Sequence, residues 1–180
     1  HSHSAKLSES AVKAFFYKIM HWRLAKCADY CAACSEQAGI ALFGSSFPKL
    51  PNKLIVKNGI ACSKYVFDGM VRGELRRKYG LQTDCKVIGH VGRFSIGKNQ
   101  SFLVKLLAEL LKRGKEYKLF LIGAGEMLSE VENLATSLNL KDNVVFTGGR
   151  DDVPDLMNIF DLFIMPSLHE GLGISAIEAQ

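Results

Sequence analysis

The chain has 180 residues, 48% hydrophobic and 23% charged, a composition that excludes disordered, collagenous and disulfide-scaffold classes. Lys and Arg number 23 against 18 Asp and Glu, a formal charge of +5, which suits anionic small molecules or a membrane surface better than nucleic acid. The sequence holds no run of about 18 apolar residues and no signal-peptide pattern, and its five cysteines crowd into the first half, so reduced thiols and a cytoplasmic setting are expected.

The chain opens on His-Ser-His-Ser and closes within a helical pattern, Ile174 to Gln180, that carries no stop signal; both ends are expected to be cut from a longer protein. Ser8 to Lys26 reads as an amphipathic helix capped by Ser8 or Ser10, with Val12, Phe15, Phe16, Ile19 and Trp22 on its apolar face. Tyr30 to Cys34 and Lys53 to Lys57 read as strands, with a short helix from Ser35 to Phe43 between them. The charged stretch Arg72 to Gly80 suggests a boundary, with residues 1–80 as the end of a first domain and 81–180 as a second.

The second part alternates regularly. Lys86–Val91, Lys118–Ile122, Val144–Phe146 and Leu162–Met165 are predicted strands, and Asn99–Arg113, Glu126–Asn139, Asp152–Phe160 and the segment from Gly173 are predicted helices. Continuously apolar strands separated by helices predict a parallel sheet covered on both faces, an α/β, Rossmann-like fold. Ligands of such sheets bind outside the carboxyl ends of the strands. The loops there are Gly92–Lys98, Gly123–Glu126, Thr147–Arg150 and Pro166–Gly173. They are rich in glycine, which lets a backbone approach a ligand, and two carry cations. Arg93 and Lys98 suit a diphosphate, whereas Glu170 and Glu178, as acceptors, suit sugar or ribose hydroxyls.

Gly92-Arg93-Phe94 with Lys98-Asn99, Leu121-Ile122-Gly123-Ala124-Gly125, Val145-Phe146-Thr147-Gly148, Asp161 ahead of Met165-Pro166-Ser167, and Glu170-Gly171-Leu172-Gly173 ending in Ala176-Ile177-Glu178-Ala179 run in order along the chain. In order and spacing they resemble the donor-binding half of the family 4 retaining glycosyltransferases (glycosyl transferase group 1). Asn58-Gly59-Ile60 resembles the end of that family's first domain.

The resemblance implies the GT-B architecture, two Rossmann-like domains facing a cleft, with the donor domain truncated here. It implies transfer of a sugar from a nucleoside-diphosphate sugar, a UDP-hexose by family frequency, to a glycan or lipid-linked acceptor with retention of configuration. Arg93 and Lys98 would bind the diphosphate. Gly171, Leu172 and Gly173 would present backbone N–H groups near it, and Glu178 would hold the ribose. Glu170 would contact the transferred sugar, and His3 or His1 would reach the cleft. No cofactor, metal or nucleic acid is implied. The setting would be bacterial polysaccharide assembly, with peripheral membrane contact and dimerisation through exposed edges left open. A piece this short is expected to be inactive alone. Two other readings stay open, a nucleotide-sugar 2-epimerase and a non-catalytic nucleotide-sugar binding module.

Bland readings cover the remaining signals. Cys27, Cys31 and Cys34 lack a second ligand pair for zinc and read as small buried hydrophobes. Gly123-Ala-Gly125 lacks the third glycine of a dinucleotide fingerprint.

Overall fold

A computed structural model describes residues 11–170 and 172–180 of the chain. It divides into two compact units, one of residues up to Ile60 with His169–Leu172, the other of Ala61–Leu168 with Gly173–Gln180.

In the first unit, α1 (Ala11–Cys27) precedes β1 (Cys31–Ala33), α2 (Glu36–Phe43) and β2 (Lys53–Ile55). The two strands pair in parallel, Cys31 opposite Lys53. Ser35 caps α2, its hydroxyl accepting from the Ala38 N–H at 3.1 Å. Phe47, fully buried, stacks on Phe43 and forms the centre of this small unit. The start expected for α1 at Ser8 lies outside the described residues. Its apolar face departs from the sequence expectation, because Phe16, Ile19 and Trp22 are 62%, 42% and 59% exposed. α1 packs on α2, and a sheet of two three-residue strands is too small to cover the rest of a 17-residue helix.

The second unit contains α3 (Gly69–Lys78), β3 (Lys86–Val91), α4 (Gln100–Leu111), β4 (Tyr117–Ile122), α5 (Leu128–Ser137), β5 (Val144–Gly148), α6 (Val153–Met157), β6 (Leu162–Phe163) and α7 (Ile174–Glu178). The four strands form a parallel sheet in the order β5-β4-β3-β6. This is the Rossmann-like α/β arrangement that the alternation predicts.

Strand residues alternate between two cores. Ile88, Leu119, Leu121 and Val144 pack with Leu103, Leu107 and Val131 of α4 and α5 on one face. Val87, Phe120 and Ile122 pack with Leu156 and Ile159 on the other, where Leu75 and Tyr79 also lie. α3 thus lies with the second unit, packed against α6. It is not predicted from apolar periodicity, because half of its ten residues are Arg, Lys or Glu. Asp68 starts it, accepting from the Met70 and Val71 N–H groups at 2.8 and 3.2 Å. β6 is shorter than predicted. Its pairing runs on through the Ile164 N–H, which donates to Gly89, and stops before Pro166, which has no N–H to donate.

Candidate functional site

All four strands of the second unit run parallel, so the segments after their carboxyl ends gather at one edge of the sheet. Backbone hydrogen bonds bind these segments together. Gly92 donates to Ile122 at 2.9 Å, Phe94 to Ala124 at 3.0 Å, Gly123 to Gly148 at 2.9 Å and Leu168 to Gly97 at 2.8 Å.

Two of the loop glycines serve this packing rather than leaving a backbone open to a ligand. A Cβ on Gly123 would lie 2.1 Å from the Gly92 carbonyl oxygen, and one on Gly125 would lie 2.2 Å from that of Phe94. Gly123 also holds φ at +141°, a region that L side chains rarely adopt. By contrast, Gly149 has open space around it.

Arg93 sits on the loop after β3, and its Nε and Nη2 donate to Glu126 Oε2 at 3.2 and 3.0 Å. Both side chains are exposed. Hydrogen bonding from the Glu126 backbone N–H, then from Arg93, holds the Glu126 carboxyl below its ordinary range. Arg150, on the loop after β5, is likewise engaged, its Nε and Nη2 donating to the two Asp152 oxygens at 2.6 and 2.5 Å. That pairing pushes Arg150 up and Asp152 down. The guanidinium groups of both loops therefore face a carboxylate. Neither pair is evident from sequence, which weighs each cation alone.

Lys98 closes the 3₁₀ turn Ile96–Lys98, and its Cδ lies 3.7 Å from where a Cβ on Gly92 would stand. Glu178 is the last residue of α7 and is half-buried. The Tyr65 hydroxyl hydrogen-bonds to it. Partial burial, that bond and the Glu178 charge together push Tyr65 up to about 12. Gly173 precedes α7, and its missing side chain leaves room for Met165, whose Cε would lie 2.3 Å from a Cβ there. Glu170 and Leu172 are exposed and belong to the stretch grouped with the first unit. His1, His3 and Gly171 lie outside the described residues.

One constellation beneath the loops is absent from the sequence reading. His90 in β3 and Gln100 at the start of α4 are fully buried. His90 Nδ1 lies 2.9 Å from the Ile164 carbonyl oxygen, and Gln100 Nε2 lies 2.9 Å from that of Arg93 and 3.4 Å from His90 Nε2. The available signal is a His within the buried run Val87–His90 of β3 and a Gln at the first position of a largely apolar helix.

The cysteines differ from one another. Cys31 and Cys85 are buried, Cys34 is half-buried, and Cys27 and Cys62 are exposed, so Cys27 is not the buried hydrophobe expected of it. Its position at the last residue of the poorly covered α1 explains this. Among the described residues, no group of three or more His, Cys, Asp or Glu side chains is placed to hold a metal ion. No described helix is long and apolar enough to cross a membrane.

Comparison with known proteins matches residues 71–180 to the glycosyl transferases group 1 family. EpsF of Bacillus subtilis (strain 168), assigned as a glycosyltransferase, is 40% identical over 82% of this chain and 38% of its own length. A UDP-Gal:alpha-D-GlcNAc-diphosphoundecaprenol alpha-1,3-galactosyltransferase of Escherichia coli is 28% identical over 70% of this chain and 33% of its own. The crystal structure of HepE from Anabaena, in complex with UDP and glucose, superposes with a TM-score of 0.77 at 25% identity, over 91% of this chain and 45% of that one. That of WaaG, a glycosyltransferase involved in lipopolysaccharide biosynthesis, superposes with a TM-score of 0.68 at 27% identity, over 82% and 40%. The chain thus spans less than half the length of these relatives. With the family's region covering the whole parallel sheet and the loops at its carboxyl edge, the chain belongs to the glycosyl transferases group 1.

Proposed function

We propose that this chain forms the donor-binding part of a retaining glycosyltransferase that moves a hexose from UDP to a glycan or lipid-linked acceptor. The observation that carries the reading is the loop Gly92–Lys98, which sets Arg93 and Lys98 at the carboxyl edge of the parallel sheet, where ligands of such sheets bind. The UDP bound by HepE and the UDP-galactose named for the Escherichia coli relative support the choice of nucleotide. The diphosphoundecaprenol in that relative's name supports a lipid-linked acceptor.

In this reading Arg93 and Lys98 receive the diphosphate, Arg93 exchanging the Glu126 carboxylate for a phosphate. Backbone N–H groups of Gly171, Leu172 and Gly173 add donors, and Glu178 accepts from the ribose hydroxyls. Charge builds on the leaving diphosphate as the glycosidic bond breaks, and preorganised cations and N–H groups stabilise it. Glu170 orients the transferred sugar, as does His3 or His1. The leaving phosphate takes the acceptor's proton, so no side chain serves as nucleophile and no cofactor is required. The setting proposed is bacterial and cytoplasmic, with glycan assembly at the inner membrane face.

Calorimetric titration of the chain with UDP, GDP and ADP tests this. UDP binding that weakens at least about tenfold in the Arg93→Ala, Lys98→Ala double variant is expected, since two charge-assisted contacts are lost. Binding of none of the three nucleotides, or binding that ignores the double substitution, overturns the reading.

A further inference from the structure

Polar groups and an uncommon backbone conformation are concentrated directly beneath the Arg93–Lys98 loop. His90 and Gln100 are 0% and 1% exposed in a region where apolar side chains would pack without needing partners. Gln100 Oε1 is buried with no hydrogen-bond partner. Asn99, just before it, holds the left-handed conformation, φ 55° and ψ 40°, and its Nδ2 donates to the Pro166 carbonyl at 3.3 Å. The unpaired Oε1 and the left-handed backbone at Asn99 each cost stability, and such costs persist where a site's geometry depends on them.

The hydrogen bonds have a defined direction. The Arg93 carbonyl can only accept, so the Gln100 amide must turn Nε2 toward it, which leaves Oε1 on the other side. The Ile164 carbonyl can only accept, so His90 carries its proton on Nδ1 and turns a lone pair on Nε2 toward Gln100. The result is a relay from the backbone of Arg93, through Gln100 and His90, to the backbone of Ile164, two residues before Pro166. It couples the loop after β3 to the segment after β6. The space beside the ring is also shared with the cation: a Cβ on Gly92 would lie 3.1 Å from His90 Nε2 and 3.7 Å from Lys98 Cδ.

We infer that Gln100 and His90 are positioning residues, which hold the backbone at Arg93 in the shape that presents its guanidinium to the donor diphosphate. This rests on the proposed role of Arg93. Neither residue touches donor in this account, so both act through Arg93, and their effect must vanish when the Arg93 side chain is removed.

A double-mutant cycle read by UDP titration tests this, using the unmodified chain, Gln100→Met, Arg93→Ala and the combination. Met keeps length and volume while removing both donors. Gln100→Met is expected to weaken UDP binding about fivefold, the scale of one lost hydrogen bond, and to change it less than about twofold in the Arg93→Ala background. A merely structural role would show instead as the same fold-loss in both backgrounds, and that result overturns the inference. So does a Gln100→Met variant that binds like the unmodified chain while Arg93→Ala weakens binding. If Arg93→Ala itself leaves affinity unchanged, or the unmodified chain binds no UDP, the role of Arg93 fails first and the inference falls with it. Should Gln100→Met fail to fold, His90→Phe, which keeps a ring beside Phe163, takes its place in the same cycle with the same expected outcomes.

Discussion

Asp161 anchors the end of the sheet opposite the loops. Its Oδ2 accepts from the Val87 N–H and its Oδ1 from Arg72 Nη2, both at 2.7 Å, and Arg76 Nη1 stands 3.7 Å away. Its own N–H donates to the Val87 carbonyl at 2.8 Å. Partial burial by itself would raise this carboxyl, but the Val87 N–H and the Arg72 guanidinium outweigh it and hold the group below its ordinary value. A depressed folded value means that the unfolded chain binds the proton more readily. The stabilisation is therefore full above the unfolded carboxylate range near pH 4 and is lost as pH falls through the lower folded value. Asp161→Asn is expected to cost about 2 kcal/mol at pH 7. Urea unfolding at several pH values checks this, and the difference between the two chains should shrink on acidification below about pH 4. In sequence Asp161 stands within a motif of the resemblance, ahead of Met165-Pro166-Ser167, and no site role is read for it. Its partners, 74 and 89 residues distant, are brought to it only by folding, and they show a structural clamp.

At the scale of elements, sequence patterns locate helices and strands well where periodicity carries the signal and poorly where charge does. β3 runs over the predicted Lys86–Val91, and α4 lies within the predicted Asn99–Arg113. In α3 charge dominates the pattern: Leu75 reaches the core, but Arg72 and Arg76 bind the helix to Asp161 and to the carbonyl oxygens of Gln82, Cys85, Asn158 and Phe160. α1 shows the opposite error, since a convincing apolar pattern is left largely exposed where little covers it. Loop glycines are equally ambiguous, because a glycine that admits a ligand and one that admits another loop look alike in sequence. Gly125→Ala separates these uses. The added methyl meets the Phe94 carbonyl, a backbone atom, so a loss of about 3 kcal/mol in unfolding free energy is expected, whereas Gly149→Ala should stay within about 0.5 kcal/mol.

For the whole molecule, stability is unevenly distributed. The central strands β3 and β4 are covered on both faces, with Val87, Leu119, Phe120, Leu121 and Ile122 at most 1% exposed. In the first unit, β2 is exposed at all three positions. Hydrogen exchange should therefore be slowest at Leu119–Leu121 and faster, by at least about tenfold, at the β1 and β2 amides, because opening a three-residue pair exposes little apolar area. Uniform protection across both units would contradict this. The sequence by itself determined the α/β class, the alternation that makes the sheet parallel, and the loops that share its carboxyl edge, because these follow from local periodicity and from strand direction. Tertiary structure alone decided that Glu126 and Asp152 engage the two guanidinium groups, that Gly123 and Gly125 serve loop packing, and that a buried His90–Gln100 pair underlies Arg93. Apart from Arg150 with Asp152, two positions on, and His90 with Gln100, ten positions on, those contacts join residues distant along the chain, and their energies exist only once the sheet has brought its loops together.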